Sequence, residues 1–382
     1  MDEQLISDLG ISVRKNKRIM IILISFIIIL TILCSIFIML YTFEKSKNKK
    51  KSNDNQSSPE TNPLSLWNDC EAKKKLIDFI QTTTKKGSPD FIEKEDRIAV
   101  FDFDGTLFQE TAPVYADYQL FKYRVLDDPE YSSKATEEQK SIAHEIEEVM
   151  KTGNHPKGLD LRHAKANAEI FKDMTIEEAD IYTKNFVNRP VEGYNNLKKG
   201  DAFYKPMIEV VEYLRKNDFL VYIVSGSDRF TVRALADKHI NVPKNQIIGS
   251  EGYIIASNQG EIDGFNYTFN NTLLDELIFE GKFIVKNLYM NKVYHIIREI
   301  GKKPVLSFGN SMGDSSMANY VISDKKKKSL AFMLLCDDLD RENGNEIKAE
   351  TMKEQCQINN WIPVSMKNDW KTIYGNNVTR IK

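Results

Sequence analysis

Two aspartates two positions apart, Asp102 and Asp104, directly follow the apolar run 98–101. Such a run is typical of a buried strand, and open α/β sheets carry their chemistry at the carboxyl ends of strands. Once the chain turns at Gly105, both carboxyl groups can reach one crevice, where one can attack and the other can move protons. The pattern predicts phosphoryl transfer through an aspartyl-phosphate.

The plain alternative is a turn, because Asp and Gly are common turn residues and short motifs recur by chance. Later parts of the chain make this alternative weaker, because they supply, in order, the other polar groups that such chemistry needs. These parts are the strand-like run 220–224 with Ser225 and Gly226, Lys292 at the start of a predicted helix, and the run 304–308 leading to Asn310 and Asp314.

Taken together, these four motifs resemble the haloacid dehalogenase superfamily of hydrolases, in particular its phosphatase branch with a helical cap, which is similar to phosphoserine phosphatases. The resemblance covers roughly Trp67 to Tyr374. It implies an α/β fold, with a Rossmann-like parallel sheet and a helical cap inserted at about 109–201. The segments 300–304 and 366–371 are similar to those of an exported bacterial subgroup.

The resemblance implies a catalytic role for three residues. Asp102 would be the nucleophile that attacks phosphorus, and Asp104 would be first the acid and then the base. Lys292 would neutralise the charge shared by Asp102 and the phosphoryl group. Lys286 lies in the same basic region and competes for this role, but the distance from Lys292 to Gly309 fits the subgroup better.

Substrate-binding roles are implied in the same way. Thr106 and Ser225 would position phosphoryl oxygens, with help from the backbone N–H at Gly226. Each motif residue also has an ordinary structural explanation. Ser225 could cap the end of a strand, and Asp314 could cap the helix that follows it.

A divalent cation follows from charge, because a carboxylate cannot readily approach a phosphate dianion unless a cation lies between them. Hard oxygen ligands favour Mg²⁺, and the implied ligands are the Asp102 carboxylate, the Asp104 carbonyl and the Asn310 side-chain oxygen. Asp314 would hold a metal-bound water or orient Lys292. The superfamily usually has Asp in place of Asn310, so we expect weaker metal binding with activity retained.

The segment 19–43 is almost wholly apolar and carries no charge. At about 1.5 Å per residue it is long enough to cross a bilayer, and it lacks the short core and cleavage site of a signal peptide. It predicts a single-pass membrane protein with an N-terminal tail, 1–18. Basic residues on both sides nearly balance, but the exported subgroup favours an extracytoplasmic catalytic domain.

Residues 44–63 are rich in Lys, Asn, Ser and Pro, which predicts a disordered linker. The hydrolase domain would then occupy 64–382, and the run 253–260 suggests a hairpin beside its sheet. The formal net charge is −2, so a nucleic acid is not expected as a partner. The oligomeric state stays open, as does a disulfide between Cys336 and Cys356.

These observations predict a membrane-anchored, Mg²⁺-dependent phosphatase acting on small phosphomonoesters. A phosphotransferase would share all four motifs. A dehalogenase of the same superfamily needs no acid for a halide, so Asp104 argues against it. A non-catalytic interaction module is the remaining alternative, although degenerate enzymes usually lose a nucleophile or a ligand.

Overall fold

The computed structural model describes residues 63–381, with gaps at 111–114 and 238, and in addition Ser35 and Met39. Within this described part of the chain, none of the helices combines the length and the apolar character that crossing a membrane requires. Contacts within the chain group it into two units, and the second of them, Pro63–Lys382, contains the β-sheet. The predicted tail, membrane helix and linker fall almost entirely outside the described residues and stay predictions.

Strands and helices alternate along the second unit. The strands are β1 (Ile98–Phe101), β2 (Tyr194–Asn195), β3 (Leu220–Asp228), β4 (Ile247–Ala256), β5 (Leu277–Val285), β6 (Leu306–Gly309), β7 (Leu330–Leu335), β8 (Ile362–Ser365) and β9 (Thr379–Arg380). The α-helices are α1 (Glu71–Thr84), α2 (Ala116–Lys122), α3 (Glu137–Thr152), α4 (Leu159–Glu169), α5 (Ile176–Val187), α6 (Lys205–Lys216), α7 (Arg229–Ala236), α8 (Met290–His295), α9 (Ser315–Ile322), α10 (Glu346–Asn359) and α11 (Met366–Asp369).

Seven strands form the main sheet, in the order β5-β4-β3-β1-β6-β7-β8. All neighbouring pairs are parallel except β4 and β5, which are antiparallel at one edge. The predicted α/β class with a parallel sheet is therefore confirmed. The predicted hairpin at 253–260 differs, because β4 ends at Ala256 and pairs with β5 only after the connection 257–276.

The centre of the sheet is buried on both faces, which explains why its strands are continuous apolar runs rather than alternating ones. All four residues of β1 are buried. Phe308 on β6 stacks on Phe101 of β1 at 4.3 Å between ring centroids, and on Phe332 of β7 at 4.9 Å. This aromatic row fixes β1 and β6 side by side, so the residues that follow the two strands meet at one edge.

Helices α2 to α5 lie between β1 and α6 and have a hydrophobic core of their own, with Phe121, Ile142 and Ile146. Two of them begin with capping boxes, at Thr136 for α3 and Thr175 for α5. Such a box satisfies N–H groups that the first helical turn leaves unpaired. The insertion is thus a helical layer whose apolar cluster also includes Phe279 of β5.

Candidate active site

The loop after β1 is a tight turn that begins at Asp102. The Asp102 amide donates to the carbonyl of Phe308 on β6 at 2.9 Å, and the amides of Leu107 and Phe108 both donate to the carbonyl of Phe103 at 2.9 Å. The buried rings of Phe103 and Phe108 stack at 5.1 Å between centroids. The loop is therefore anchored through its aromatic residues, and Asp102 and Asp104 are left facing a cavity.

Gly105 makes this turn possible. Its φ is +77°, a left-handed conformation that residues with a Cβ rarely adopt. A Cβ atom here would also overlap the side-chain amide of Asn310 and the carboxylate of Glu110. The glycine is needed both for the turn and for the close approach of these two side chains.

Lys292 lies on α8 and is completely buried. Its Nζ donates to Asp102 Oδ1 at 2.5 Å and to Asp314 Oδ1 at 2.6 Å. Burial alone would lower the pKa of Lys292, but the charges of the two carboxylates outweigh it and raise that pKa. Lys286, the competing candidate, lines the same cavity without an ion pair to Asp102 among the described contacts.

Opposing effects act on the pKa of Asp102, and the net shift is upward. Burial raises the pKa of its carboxyl group, and the neighbouring charge of Asp314 raises it further, whereas Lys292 lowers it. A cation bound beside Asp102 would add to the effect of Lys292 and favour the carboxylate form that a nucleophile requires.

Asp104 is set in a different environment. Its Oδ2 accepts a hydrogen bond from Ser227 Oγ at 2.7 Å, and its Oδ1 accepts one from the amide of Ala116 at 3.2 Å. Burial first, and then the charge of Asp117, raise the pKa of Asp104 to about 7. A group with this pKa can give and take a proton near neutral pH, which is the property of an efficient general acid and base.

Asn310 and Asp314 follow β6. Asp314 uses both carboxylate oxygens, because Oδ1 accepts from Lys292 and Oδ2 accepts from the amides of Asn310 and Ser311 at 3.1 Å each. Of the two roles expected for Asp314, this arrangement corresponds to the orientation of Lys292. A Cβ at Gly309 would lie 2.7 Å from Asp314 Cβ, so the close approach needs glycine there.

The residues present fit a hard divalent cation. Asn310 Oδ1 is buried and has no hydrogen-bond partner in the described part of the chain, so it is an oxygen ready to accept a ligand bond. It lines the same cavity as the Asp102 and Asp104 carboxylates. Carboxylate, carbonyl and amide oxygens are the donors that Mg²⁺ takes in proteins.

The three predicted substrate-binding residues are placed differently from one another. Gly226 lines the cavity, whereas Thr106 and Ser225 are completely buried and their side chains do not contribute to its wall. Ser225 Oγ accepts from the amide of Ser227 at 3.0 Å, while Thr106 Oγ1 has no partner among the described residues. The Thr106 hydroxyl thus has no hydrogen-bond partner among the described residues, whereas Ser225 stabilises the backbone at the end of β3.

A cavity of about 710 Å³ opens above these groups. Besides the catalytic carboxylates, its walls include Tyr115, His155 and Asp160 from the helical insertion and residues 343–345 from the loop before α10. This volume lies in the range of pockets that hold small molecules.

Sequence reasoning did not find Ser227 or Lys348, which both line the cavity. Ser227 stands two residues after Ser225 on β3, so the motif itself contained the signal, since residues two apart share a face of a strand. Lys348 pairs with Glu110 across 238 positions of sequence, and no local pattern marks it.

One further group of metal-ligand types lies in the described chain outside this cavity, with candidate ligand atoms of Glu251, His295 and Glu299 within 4.8 Å of one another. Both glutamates already pair with Arg229 and Arg298. The four charges cancel, so this cluster does not attract a cation as the catalytic cavity does.

The central part of the chain matches a known protein family. Residues 97–259 match the model of a family described as haloacid dehalogenase-like hydrolase. This segment is a haloacid dehalogenase-like hydrolase domain. The expectation of a hydrolase of this superfamily is confirmed for this segment. The matched segment includes the Asp102 loop, the helical insertion and the strand with Ser227, while Lys292, Asn310 and Asp314 lie beyond it.

The solved structures that this chain resembles have low sequence identity to it. A conserved functionally unknown protein from Anaerococcus prevotii DSM 20548 is 15% identical, with a TM-score of 0.47, covering 77% of this chain and 91% of its own. Cytosolic 5'-nucleotidase IIIB bound to cytidine is 11% identical, with a TM-score of 0.44 and coverages of 78% and 86%. A phosphoserine phosphohydrolase-like protein from Francisella tularensis subsp. tularensis SCHU S4 is 14% identical, with a TM-score of 0.35 and coverages of 63% and 87%. No curated protein matches the sequence.

The buried ion pairs predict the behaviour of a Lys292→Met variant. Removing the ammonium leaves Asp102 facing Asp314 without a counter-charge, so we expect a loss of roughly 3–5 kcal/mol of unfolding free energy at pH 8. The loss shrinks at pH 5. In the variant, the pKa of Asp102, already raised in the folded state, rises further. A carboxyl group with a raised pKa in the folded state adds to the unfolding free energy at low pH, and this contribution is lost as the pH increases through that pKa.

Urea unfolding of the unmodified protein and the variant at the two pH values measures both effects. Lys353→Met is the matched control, because Lys353 pairs with Glu350 on the exposed surface of α10. A loss that is equal at pH 5 and pH 8 would contradict the paired arrangement of Asp102 and Asp314 around Lys292.

Proposed function

We propose that this protein is a Mg²⁺-dependent hydrolase of small phosphomonoesters that works through an aspartyl-phosphate on Asp102. The observation that carries the proposal is the buried Lys292, whose Nζ lies 2.5 Å from Asp102 Oδ1 and 2.6 Å from Asp314 Oδ1. It supports an anionic nucleophile held in place at a cavity where a second carboxyl group, Asp104, is available for proton transfer.

In the first half of the reaction, a carboxylate oxygen of Asp102 forms a bond to phosphorus while the bond from phosphorus to the ester oxygen breaks. Asp104 gives its proton to the departing alkoxide, and the alcohol leaves. The pKa of Asp104, about 7, allows it to hold that proton at neutral pH. Lys292 offsets the negative charge that accumulates at Asp102.

In the second half, Asp104 takes a proton from a water molecule as the water oxygen attacks phosphorus. The bond from phosphorus to Asp102 breaks, which releases phosphate and restores the carboxylate. Ser227 orients Asp104 through the hydrogen bond to Oδ2.

Asp102, Asp104 and Asn310 would hold the cation, through a carboxylate oxygen, the main-chain carbonyl and the side-chain Oδ1 in that order. When bound, Mg²⁺ reduces the repulsion between the attacking carboxylate and the phosphate dianion. A proton donor next to the nucleophile argues for an oxygen leaving group and against a halide, since a halide leaves without a proton.

The proposal includes a membrane anchor at 19–43, with the catalytic domain on the extracytoplasmic side. The uncharged apolar composition of this segment supports the anchor. The similarity to an exported subgroup supports the orientation, and the substrate would then be a small phosphorylated compound outside the cytoplasm.

An Asp102→Asn variant is expected to fold and to lose activity. Lys292 keeps its bond to Asp314, so the buried charge stays paired, but an amide is not a nucleophile. Phosphate release from 4-nitrophenyl phosphate should fall by at least about 1,000-fold.

Chelation with EDTA should also abolish release by the unmodified protein, and added Mg²⁺ should restore it. Activity unchanged in EDTA would remove the metal from the proposal.

An Asp104→Asn variant is expected to depend on the leaving group. The asparagine can neither donate to an alkoxide nor activate water, so hydrolysis of an alkyl phosphate should fall by roughly 100- to 10,000-fold. With 4-nitrophenyl phosphate the leaving group needs no proton, so we expect a burst of nitrophenolate and a phosphorylated protein that persists. Rapid-mixing kinetics and intact-protein mass spectrometry measure these outcomes, and an equal loss in the rate of protein phosphorylation by both substrates would exclude Asp104 as the acid.

The orientation predicts that an external protease added to intact cells removes the catalytic domain. A tag at the C-terminus and one at the N-terminus report on the two sides, because only the C-terminal tag should disappear. Protection of the C-terminal tag, with digestion restored after permeabilisation, would place the domain in the cytoplasm.

A further inference from the structure

The side-chain amide of Asn310 differs from the aspartate that the superfamily usually has at this position. The two oxygens of a carboxylate are equivalent, whereas an amide has one acceptor end, Oδ1, and one donor end, Nδ2. If Asn310 holds a cation, as the proposed function requires, its oxygen must face the cation and its NH₂ group must face away. Some other group has to fix that orientation.

Glu110 is placed to do so. Asn310 Nδ2 donates a hydrogen bond to Glu110 Oε2, while Asn310 Oδ1 is buried without a partner in the described part of the chain. Glu110 is only 5% exposed, so water cannot readily replace it. A carboxylate is acceptor-only when it is ionised, and it therefore selects the NH₂ end of the amide.

Lys348, in the first turn of α10, holds the other oxygen of Glu110. Its Nζ donates to Glu110 Oε1. Burial lowers the pKa of Lys348, but the charge of Glu110 outweighs it, so the net shift is upward and the ammonium persists. The Asn345 side chain accepts a hydrogen bond from the Lys348 amide at 2.9 Å and caps this helix, which fixes the backbone position of Lys348. Each oxygen of Glu110 thus has one donor.

We propose that Glu110 is a positioning residue that turns the Asn310 oxygen toward the cation, and that Lys348 holds Glu110 in place. The inference rests on the proposed Mg²⁺ dependence. It also explains the asparagine, because an aspartate at 310 would set two carboxylates against each other at hydrogen-bond distance. Gly105 supplies the space in which the two side chains meet.

A Glu110→Gln substitution inverts this arrangement without changing the shape of the side chain. The charged Lys348 makes the stronger hydrogen bond, so the glutamine oxygen should stay with Lys348 and its NH₂ group should face Asn310. The Asn310 amide then has to flip its oxygen away from the cation site. We expect Mg²⁺ affinity to fall by roughly 10- to 100-fold, the usual effect of losing a partner that orients a metal ligand.

The decisive comparison is the same substitution in an Asn310→Asp background. Here the glutamine NH₂ group can donate to one aspartate oxygen and leave the other for the cation. Glu110→Gln should therefore strengthen Mg²⁺ binding in this background and weaken it in the natural one. A merely structural role for Glu110 would change binding in the same direction in both backgrounds.

Mg²⁺ affinity is measured on the full-length protein without any substrate, from the rise of the thermal unfolding midpoint with Mg²⁺ concentration. The midpoints without Mg²⁺ show whether each variant folds. Glu350→Gln is the matched control, because Glu350 lies on the exposed face of α10 in an ion pair with Lys353, and it should leave the affinity unchanged.

Opposite signs of the Glu110→Gln effect in the two backgrounds support the inference. Equal signs, or no effect in either background, overturn it and leave the proposed function intact, provided that the unmodified protein binds Mg²⁺ and needs it for activity. If Mg²⁺ changes neither the unfolding midpoint nor the activity of the unmodified protein, the proposed function falls and the inference falls with it.

Discussion

A buried ammonium group between two buried carboxylates is the interaction on which the catalytic edge depends. Asp102 and Asp314 follow neighbouring parallel strands, and Lys292 lies between their carboxyl groups and bonds to both. Lys292 is 190 positions from Asp102 in sequence, and α8 has to dock against both strand ends to deliver it. The parallel order of β1 and β6 and the placement of α8 are thus parts of one electrostatic arrangement.

Much of this arrangement could be predicted, because local sequence patterns indicate it. Continuous apolar runs mark strands buried on both faces, and parallel strands bring their carboxyl ends to one edge. Residues directly after such runs, including Asp102 and Asn310, must therefore meet. Local sequence patterns do not distinguish Lys292 from Lys286. Both lie in one basic region, and only the docking of α8 brings the Nζ of Lys292 to the carboxylates.

The parts that could not be predicted depend on packing between distant segments. Ser227 contacts Asp104, whereas Ser225 Oγ accepts from the Ser227 amide, and this difference depends on how the chain turns at the end of β3. Lys348 reaches the cavity from α10, which no spacing rule relates to the Asp102 loop. The β4–β5 pair is a third case, because the alternating pattern indicated a hairpin but could not identify a partner strand that lies beyond the connection 257–276.

Asp102 and Asp104 are two residues apart, and their different hydrogen-bond partners give the two carboxyl groups different roles. Burial raises the pKa of both, but at Asp102 the opposing group is the charged Lys292, whereas at Asp104 it is the neutral donors Ser227 and Ala116. A charge stabilises an anion more than neutral donors do. The net shift of the Asp102 pKa is still upward, so Lys292 and a bound cation together would be needed to favour its anionic form, whereas the protonated form is accessible at Asp104. Since Lys292 contacts only the first of them, the nucleophile and the acid cannot exchange places without moving α8.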